Sequence, residues 1–555
     1  MSIRPTRSRL TAISAMATAA LLLTACGGGK AGSESGSGSA DGKGGAAYAM
    51  TTSTPKPSKD IDSFTWSMYA EPSSLAFPYA FDYPPNTVLG NMCESLLRLN
   101  PDLSVSPGLA SAVDNPNPTT WVYTIRDGVT FHDGTPLTAD DVVASLSMHL
   151  NPKVGSFWVA AYRNVKSIKK TGAMQVTVTL SKPDSMWNEN MAATPGTIES
   201  AAFLAKSGAD YGNPSTGVDC TGPFKFGKWT PGQSITLERY DDYWDAKGKA
   251  KSAEVKFVFQ QDPNTRVNAL KDGEVDGGWM VPSNGYAQLK NGGPGKLYYG
   301  PSTQVAAEVV SNLKGPLGDP VVRKALLMAT DREGIVRAGE AGVGEVTDSM
   351  VTKNTWGNTS GGEVDKAYDA LPHYKYDVAA AKKLVAGKGI AGKKLVIATS
   401  PISSAADVVT QAVAQAARDI GFQVQLKTIS PDKYTGLFSS PDARAGIDLF
   451  YTVWYTSMAD PMDMFNVLRT GEFSNYGAWS DAAFDTAANK AIATPLDDPS
   501  RAQSVAAAQS EAAEQLPWLP LYAPPTSVWL GDRITGVSPS ISYLYSSWAA
   551  AIGSK

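Results

Sequence analysis

Apolar and polar positions alternate along Thr119–Ile125. A period of two in β-branched and aromatic residues predicts a strand. The segment His132–Pro136 comes next, and its Asp-Gly step and its proline predict a tight turn. Thr138 precedes Asp141 by three residues, the spacing of a helix capping box. A helix is therefore predicted to follow, with an apolar face at i, i+4 and i+8 made of Val142, Leu146 and Leu150.

The second half of the chain has the pattern of an α/β protein. Asp319-Pro320 predicts a helix start with an N-cap and a proline at the first helical position. Lys394–Thr399 is an apolar strand, Ala405–Ile420 is an amphipathic helix ended by Gly421, and Phe422–Ile429 is a second strand. A strand, a helix and a strand of these lengths form a βαβ unit, which predicts a parallel sheet with a right-handed crossover.

Further elements are predicted on both sides of the opening strand and helix. A first strand begins near Ile61, and a strand pair is expected at Val165–Ile168 and Met174–Leu180. Thr221–Phe259 contains three more strands, two of them joined by a Pro231-Gly232 turn. Helices are expected at Asn86–Leu99 and at Arg266–Gly273.

The first 25 residues have the pattern of an export signal. Arg4, Arg7 and Arg9 precede an apolar run, Leu10–Leu23, that is too short to cross a bilayer. The run ends at Leu23-Thr24-Ala25-Cys26, which resembles a lipoprotein cleavage and acylation site, with an ordinary signal peptide as the alternative. Residues 26–60 are rich in Gly, Ser and Pro and predict a flexible tether between a lipidated Cys26 and the folded body.

Composition narrows the class of protein. The chain has 555 residues with 43% hydrophobic side chains, which is enough for more than one domain. Its formal net charge is -4, without the basic excess that binding to phosphates would need, so nucleic acid is not expected as a partner. The 13 Trp and 22 Tyr suggest surfaces that bind ligands by stacking, although most of them must lie in the core.

No catalytic or metal-binding constellation is found in the sequence. The three histidines, 132, 149 and 373, lie far apart without ligand spacing, so surface or capping roles are expected, and neither a metal nor a cofactor is predicted. Gly387–Lys394 only approximates a phosphate-binding loop, since it follows a helix and lacks the hydroxyl residue after the lysine. The chain is therefore expected not to be an enzyme.

Several segments, in order, resemble one family. The segment from Arg126 to Val142, RDGVTFHDGTPLTADDV, is similar to a signature of the extracytoplasmic solute-binding proteins that serve peptide- and nickel-type ABC importers. Further similar segments are ESLLRLNPDLSVSPGLA (94–110), TGPFKFGKWTPGQSITLERYDDYW (221–244), RVNALKDGEVD (266–276), DPVVRKALLMATDREGI (319–335) and the run from Trp454 to Asp460-Pro461. The resemblance covers residues from about Ile61 to about Tyr522.

The resemblance implies an α/β fold of the periplasmic-binding-protein type, class II, with two lobes and an additional α+β domain inserted in the first. On this basis lobe 1 is expected at 61–99, 216–305 and 521–555, the inserted domain at 100–215, and lobe 2 at 306–520. The hinge is expected near Gly300–Asn312 and Leu516–Pro520.

Two cysteines remain after Cys26. Cys220 stands before Thr-Gly-Pro, where the family usually has glycine, and we predict that it pairs with Cys93; two buried free thiols are the alternative.

The resemblance also suggests the ligand site. Peptide-binding relatives carry Trp-x-x-Asp in the second lobe, and the Asp pairs with the ammonium group of the peptide. Here Trp454 and Asp460-Pro461 match, but Ser457 stands at the carboxylate position. Either Glu94 or Asp460 takes over that role, or the ligand has no free amine. A neutral oligosaccharide would suit Ser457, Tyr455, Trp454 and, as a further candidate, Trp279, because aromatic faces stack on sugars.

The implied function is that of a lipid-anchored, monomeric binding protein on the outer face of the cell membrane. It would capture a small organic solute and deliver it to the permease and ATPase of an ABC importer. A ligand sensor without transport remains open as an alternative, whereas the absence of a nucleophile–base or metal constellation argues against a secreted hydrolase.

Overall fold

The computed structural model describes residues 48–357 and 359–555. The predicted export signal, Cys26 and most of the predicted tether lie outside the described residues. Residues 50–60, which the sequence assigns to the tether, are docked on the folded body. The Thr51 N–H donates to Tyr299 O at 2.8 Å, and the Ser58 N–H donates to Ser554 O at 2.8 Å. The prediction of a flexible linker up to residue 60 is therefore wrong for its last part.

The first lobe is built on a seven-stranded mixed sheet. The strand Ile61–Met68 lies near its centre and pairs in parallel with two neighbours, while the outer pairings are antiparallel. In spatial order the strands are Gly295–Gly300, Thr526–Gly531, Gly277–Trp279, Ile61–Met68, Ser252–Phe259, Ser234–Arg239 and Phe224–Thr230. The α-helices of this lobe are Tyr83–Leu89, Pro263–Asp272 and Tyr286–Gly292.

The second lobe is built on a six-stranded sheet. In order, its strands are Glu345–Val346, Trp518–Ala523, Val305–Val310, Leu449–Trp454, Lys394–Thr399 and Gln423–Thr428. The last two strands pair in parallel and are connected by the helix Ser404–Asp419, which confirms the predicted βαβ unit. The other helices are Pro320–Ala329, Arg332–Gly339, Gly361–Asp369, Val378–Leu384, Pro431–Tyr434, Gly436–Ser439, Met462–Val467, Ala482–Ala493 and Ser500–Gln515.

Apolar side chains cover both faces of this second sheet. Along Val305–Val310, alternate residues enter two different clusters, with Val305, Ala307 and Val309 in one and Ala306 and Val310 in the other. A strand buried on both faces has a nearly continuous apolar sequence, as this one does. Its exception is Glu308, which is fully buried.

The chain crosses between the two sheets twice. The first crossing is residues 301–304, between the strands Gly295–Gly300 and Val305–Val310, as predicted. The second is Pro524-Pro525, because the strand Trp518–Ala523 still belongs to the second sheet. The predicted return at 516–520, and the lobe boundary at 521, are therefore a few residues too early. The apolar run at 516–521 suggests a segment that leaves the second lobe. In the structure, most of it belongs to the strand Trp518–Ala523 of the second sheet.

A third, smaller sheet forms the inserted domain. Its four antiparallel strands are, in order, Ala110–Asn117, Thr120–Ile125, Gln175–Leu180 and Val165–Gly172. The helix Ala139–Met148 follows the predicted turn, and the Asp141 carboxylate accepts the Thr138 N–H at 2.9 Å. Leu150 lies beyond this helix and is exposed, which corrects its predicted place on the apolar face. The remaining α-helices of this region are Trp187–Asn190 and Ala201–Ser207.

The helix predicted over Asn86–Leu99 is also corrected. The structure has a helix at Tyr83–Leu89, capped by Asp82, and a short strand at Leu97–Leu99 that pairs with Val105–Pro107. Gly90 is followed by a turn that carries Cys93. The structure joins Cys93 to Cys220 by a disulfide, with the two Cα atoms 4.9 Å apart.

The inserted domain contacts the second lobe as well as the first. The Ser185 N–H donates to Ile492 O at 2.8 Å, and Arg163 forms an ion pair with Glu472. Met186 enters an apolar cluster of the second lobe. Within residues 48–357 and 359–555, no helix combines the length and apolarity needed to cross a membrane.

Candidate ligand-binding site

The strand Leu449–Trp454 ends where the two lobes meet. It runs parallel to Lys394–Thr399 in the second sheet, and the loop after its carboxyl end carries residues 455–460. In the first sheet, the parallel strands Ile61–Met68 and Gly277–Trp279 end beside a shared cavity. Ligands of open α/β sheets bind at the carboxyl ends of parallel strands. Both lobes therefore present suitable strand ends to the same region, which we call the cleft.

Tyr455 is the first residue of that loop and reaches into the other lobe. Its hydroxyl donates to Phe81 O at 3.1 Å, and its ring lies 4.7 Å from the ring of Tyr83. Tyr83 in turn donates to Val453 O at 3.2 Å and accepts from Gln304 Nε2 at 2.8 Å. These hydrogen bonds tie the start of a first-lobe helix to the end of a second-lobe strand.

Ser457 forms a second contact between the lobes. Its Oγ lies 2.9 Å from the hydroxyl of Tyr545, which belongs to the carboxyl-terminal segment packed in the first lobe. Its N–H donates to Asp463 Oδ2 at 2.6 Å. Tyr455 and Ser457 are thus brought together at the cleft, as the resemblance implies.

Trp454 has a different environment from Tyr455. It is half-buried, and its ring packs edge-on against Trp518 at 5.2 Å, on the side of a second-lobe core cluster. Its ring therefore packs against the core beneath the strand end, and among the described residues it forms no aromatic pair with the first lobe.

Asp460 is committed to a buried ion pair. Its Oδ2 accepts from Arg501 Nη2 at 2.5 Å, and its Oδ1 accepts from the Met462 N–H at 2.9 Å. Both residues are nearly inaccessible to solvent. Breaking such a pair leaves a buried charge uncompensated, so Asp460 is poorly suited to bind a ligand cation.

The carboxylate of Glu94 is likewise held by hydrogen bonds, and it lies away from the contacts between the lobes. Its two carboxylate oxygens accept four hydrogen bonds, from Arg98, Thr221, Tyr243 and Trp244, at 2.8–3.1 Å. These bonds hold the segments around Cys93 and Cys220 together. Neither of the acids considered as a replacement at position 457 is therefore free to act.

Trp279 lies in the first-lobe core, and the structure shows its stacking partners only within that lobe among the described residues. It is 3% exposed and stacks on Tyr543, with ring centroids 4.2 Å apart and planes 11° from parallel. Together with Tyr69, Tyr83 and Met280 it surrounds a cavity with room for about one water molecule. The contacts of Tyr455 and Ser457 with Tyr83 and Tyr545 bring the two lobes together, so the cleft is closed in this structure.

Asp463 is the acidic residue of the cleft that sequence reasoning missed. The pKa of its carboxyl is raised to about 7, mainly by burial and also by the charge of Asp460, while the Ser457 N–H opposes the shift. Burial also raises the pKa of Asp82, on the first-lobe side beside Tyr69 and Tyr83. No family motif in the sequence marks Asp463, and only the fold of the loop brings it behind Ser457.

The histidines are expected at surface or capping positions; His149 is the C-cap residue of the helix Ala139–Met148, but it does not lie at the surface. His149 is buried and His132 is half-buried, and desolvation lowers the pKa of His132 to about 4 and that of His149 to about 3. His132 Nε2 lies 3.0 Å from Gly222 O, so the ring fixes the segment that contains Cys220. His373 alone is exposed, beside Asp348. Among the described residues, no three His, Cys, Asp or Glu side chains converge as a metal site would require.

Comparison with known proteins identifies the family. Residues 104–476 match the bacterial extracellular solute-binding proteins, family 5 (middle region). The chain belongs to this family. The oligopeptide-binding protein OppA of Bacillus subtilis is 25% identical over 552 residues, which cover 95% of this chain and 96% of OppA.

Solved structures of family 5 proteins share the fold. The structure of AgaA from A. tumefaciens R10, in complex with agropinic acid, matches with a TM-score of 0.78 and 25% identity, over 89% of this chain and 98% of AgaA. The oligopeptide-binding protein AppA of Bacillus subtilis, in complex with a nonapeptide, matches with a TM-score of 0.78 and 21% identity, over 90% of this chain and 100% of AppA. The two-lobed periplasmic-binding fold is confirmed.

Proposed function

We propose that this family 5 protein is the lipid-anchored substrate-binding component of an ABC importer. It captures a peptide-like or other small organic solute between its two lobes and presents it to a membrane permease and its ATPase. Relatives of nearly full length support this proposal, since OppA is an oligopeptide-binding protein and AgaA was solved with agropinic acid. Cys26, followed by the Gly- and Ser-rich segment, supports anchoring to the outer face of the cell membrane.

The contact of Tyr455 and Ser457 with the first lobe is the observation that carries the proposal. A solute that enters the cleft must replace the hydrogen bonds these residues make to Phe81 O and Tyr545. A ligand shifts a two-state equilibrium only by its difference in affinity for the two states. The protein therefore has to open to admit a solute, and closure is favoured when the solute contacts both lobes.

A binding screen on the full-length protein in mild detergent tests the proposal. Free tripeptides, N-acetylated tripeptides, neutral oligosaccharides and small organic acids are added in excess, and thermal unfolding is recorded. A compound that binds only the folded state raises the melting temperature. We expect one chemical class to raise it, to be recovered unchanged, and to lose its effect in Tyr455→Ala. If no class raises the melting temperature, or if the bound compound is turned over, the proposal is wrong.

A further inference from the structure

A second contact joins the two lobes beside the hinge. Ser283 Oγ, in the first lobe, donates to Gly339 O in the second at 2.5 Å and lies 3.4 Å from Ser404 Oγ. Val343 of the second lobe enters an apolar cluster whose other buried members, such as Tyr286, belong to the first. The chain after Val343 pairs with the strand that leads into the second crossing. We call these five residues the hinge-side contact, and a rotation of the lobes about the crossings must displace them against each other.

Glu340 is a buried carboxyl group within this contact. It is 9% exposed, and its Oε1 accepts from the Tyr522 hydroxyl at 2.7 Å. No cationic side chain of the described residues pairs with it, since Arg337, one turn earlier, pairs with Asp331 and Glu333. A charged carboxylate in such a place is costly, because no cation replaces the water that it has lost.

The closed lobes therefore favour the protonated form of Glu340. Burial raises the pKa of its carboxyl to about 7, while the hydroxyls of Tyr522 and Ser283 oppose the shift. Ser283 is a first-lobe group, so the surroundings of Glu340 involve both lobes. When the lobes separate, water reaches the carboxyl group and its pKa returns toward the ordinary value of 4.5.

Tyrosine side chains from both lobes lie around Glu340. In the second lobe, the hydroxyls of Tyr522 and Tyr451 are 2.9 Å apart, and in the first lobe the ring centroids of Tyr286 and Tyr299 are 5.5 Å apart. Burial, together with the charge of Glu340, raises the pKa of all four phenols. None of these tyrosines therefore titrates near neutral pH.

The charged groups on the surrounding elements do not respond to closure in the same way. Arg332 is paired with Asp348 at 2.8 Å, and the other charged side chains are exposed at Lys290, Lys296, Glu333, Arg337, Glu345 and Asp407. Glu308, which lies near Tyr451, is fully buried within the second lobe, so its surroundings persist when the lobes separate. The hinge-side contact thus controls the environment of Glu340 in particular.

We propose that closure of the two lobes takes up a proton at Glu340. When Ser283 separates from Gly339, water enters, the carboxyl O–H bond breaks and the proton passes to that water; closure reverses the step. The inference adds regulation by pH to the proposed function. It requires only that the lobes open, whichever solute they take up.

The direction of the effect follows from the two states of Glu340. Because the closed state holds the proton more tightly, Glu340 favours closure fully below pH 4.5, and this contribution is lost as pH rises to about 7. Between these limits the ratio of open to closed protein should rise by up to about tenfold for each pH unit. Glu340→Gln cannot release a proton, so it should remove this dependence.

The distance between two nitroxide labels, measured by electron paramagnetic resonance without any solute, tests the inference. The labels are attached at Lys228→Cys and Lys427→Cys, which are exposed positions on the outermost strands of the two sheets, where opening produces the largest displacement. The full-length protein is kept in mild detergent at pH 5 or pH 8. The labelled protein is compared with its Glu340→Gln variant and, as the matched control, with Glu308→Gln, which alters a buried carboxyl group away from the contact. Thermal unfolding shows that each variant is folded.

From pH 5 to pH 8, we expect the population ratio of the longer to the shorter distance to rise at least tenfold in the labelled protein and in Glu308→Gln. Glu340→Gln should keep one ratio at both pH values. A ratio that does not change with pH in the labelled protein overturns the inference, and so does a wild-type response in Glu340→Gln. Loss of the response in Glu308→Gln alone also overturns it, because the core carboxyl group would then be responsible. Since no solute is present, these outcomes are independent of the binding screen that tests the proposed function.

Discussion

Cys93 and Cys220 are joined across 127 positions of the chain. The hydrogen bonds of Glu94 and His132 hold the same segments, so the bond is embedded in a network of buried polar contacts. In the chain-entropy model, removing a crosslink that closes so long a loop costs at most about 5 kcal/mol. We expect Cys93→Ser/Cys220→Ser to unfold at lower urea concentration. Mass spectrometry after alkylation without reduction should find both cysteines unlabelled; two alkylated thiols would show that the bond is absent.

Glu308 predicts how stability depends on pH. It is fully buried in the second sheet, neither carboxyl oxygen has a partner among the described residues, and burial raises its pKa from 4.5 to about 8. Between these values the folded protein keeps a proton that the unfolded chain releases. The stability contributed by this group is full below pH 4.5 and is lost as pH rises toward 8.

Glu308→Gln removes this dependence. Between pH 5 and pH 8.5, the free energy of unfolding of wild type should fall by a few kcal/mol more than that of the variant, roughly the size of a shift of this order. Urea unfolding at the two pH values measures it, with the exposed Glu333→Gln as control. Identical pH dependence in wild type and Glu308→Gln would mean that the carboxyl is not held protonated.

The candidate site residues differ in how far their positions could be predicted from the sequence. Tyr455 and Ser457 lie where the lobes meet because they immediately follow a strand that the resemblance aligns, and their role in ligand binding stays a prediction. Glu94 and Asp460 have the right charge, but their partners, such as Tyr243 and Arg501, come from distant segments that no local pattern predicts. Asp463 meets Ser457 only because the loop returns toward it, which is a tertiary property.

At the scale of elements, periodicity predicts the strands and helices with strong patterns. Lys394–Thr399 is predicted with its observed bounds, and the helix Ser404–Asp419 is predicted to within one residue at each end. The helix predicted over Asn86–Leu99 is wrong because the apolar spacing of this segment suits both a helix and a strand. The turn at Gly90 separates the observed helix from the observed strand. The assignment of Trp518–Ala523 to the first lobe is wrong, because pairing with Val305–Val310 and not the strand's own sequence decides its lobe.

The segment before Ile61 gives a prediction at this scale. The Thr54 hydroxyl donates to Val537 O and that of Thr535 donates to Pro55 O, each at 2.7 Å, in addition to the backbone bonds to Tyr299 and Ser554. A chain that starts at Ile61 loses these contacts and should be less stable by about 1–3 kcal/mol than one that starts at Ala46. Thermal unfolding of the two proteins measures the difference. Equal melting temperatures would indicate that the segment is a tether after all.

At the scale of the whole molecule, Cys26 predicts the location of the protein in the cell. Cys26→Ala removes the proposed site of acylation, so we expect the variant to leave the membrane fraction and appear in the soluble fraction outside the cytoplasm. Its ligand binding should be unchanged, because the cleft residues lie far along the chain from residue 26. Fractionation after a carbonate wash provides the measurement, and a variant that still sediments with membranes would place the anchor elsewhere.

Closure of the two lobes around a solute is the central claim, and X-ray scattering in solution tests it most directly. The Pro524-Pro525 segment and residues 301–304 join the lobes, and the hydrogen bonds of Tyr455 to Phe81 O and of Ser457 to Tyr545 close the cleft between them. The free protein should therefore open in solution, and a saturating compound from the binding screen should reduce its radius of gyration. Scattering curves that superimpose with and without a compound bound at saturation would contradict the account.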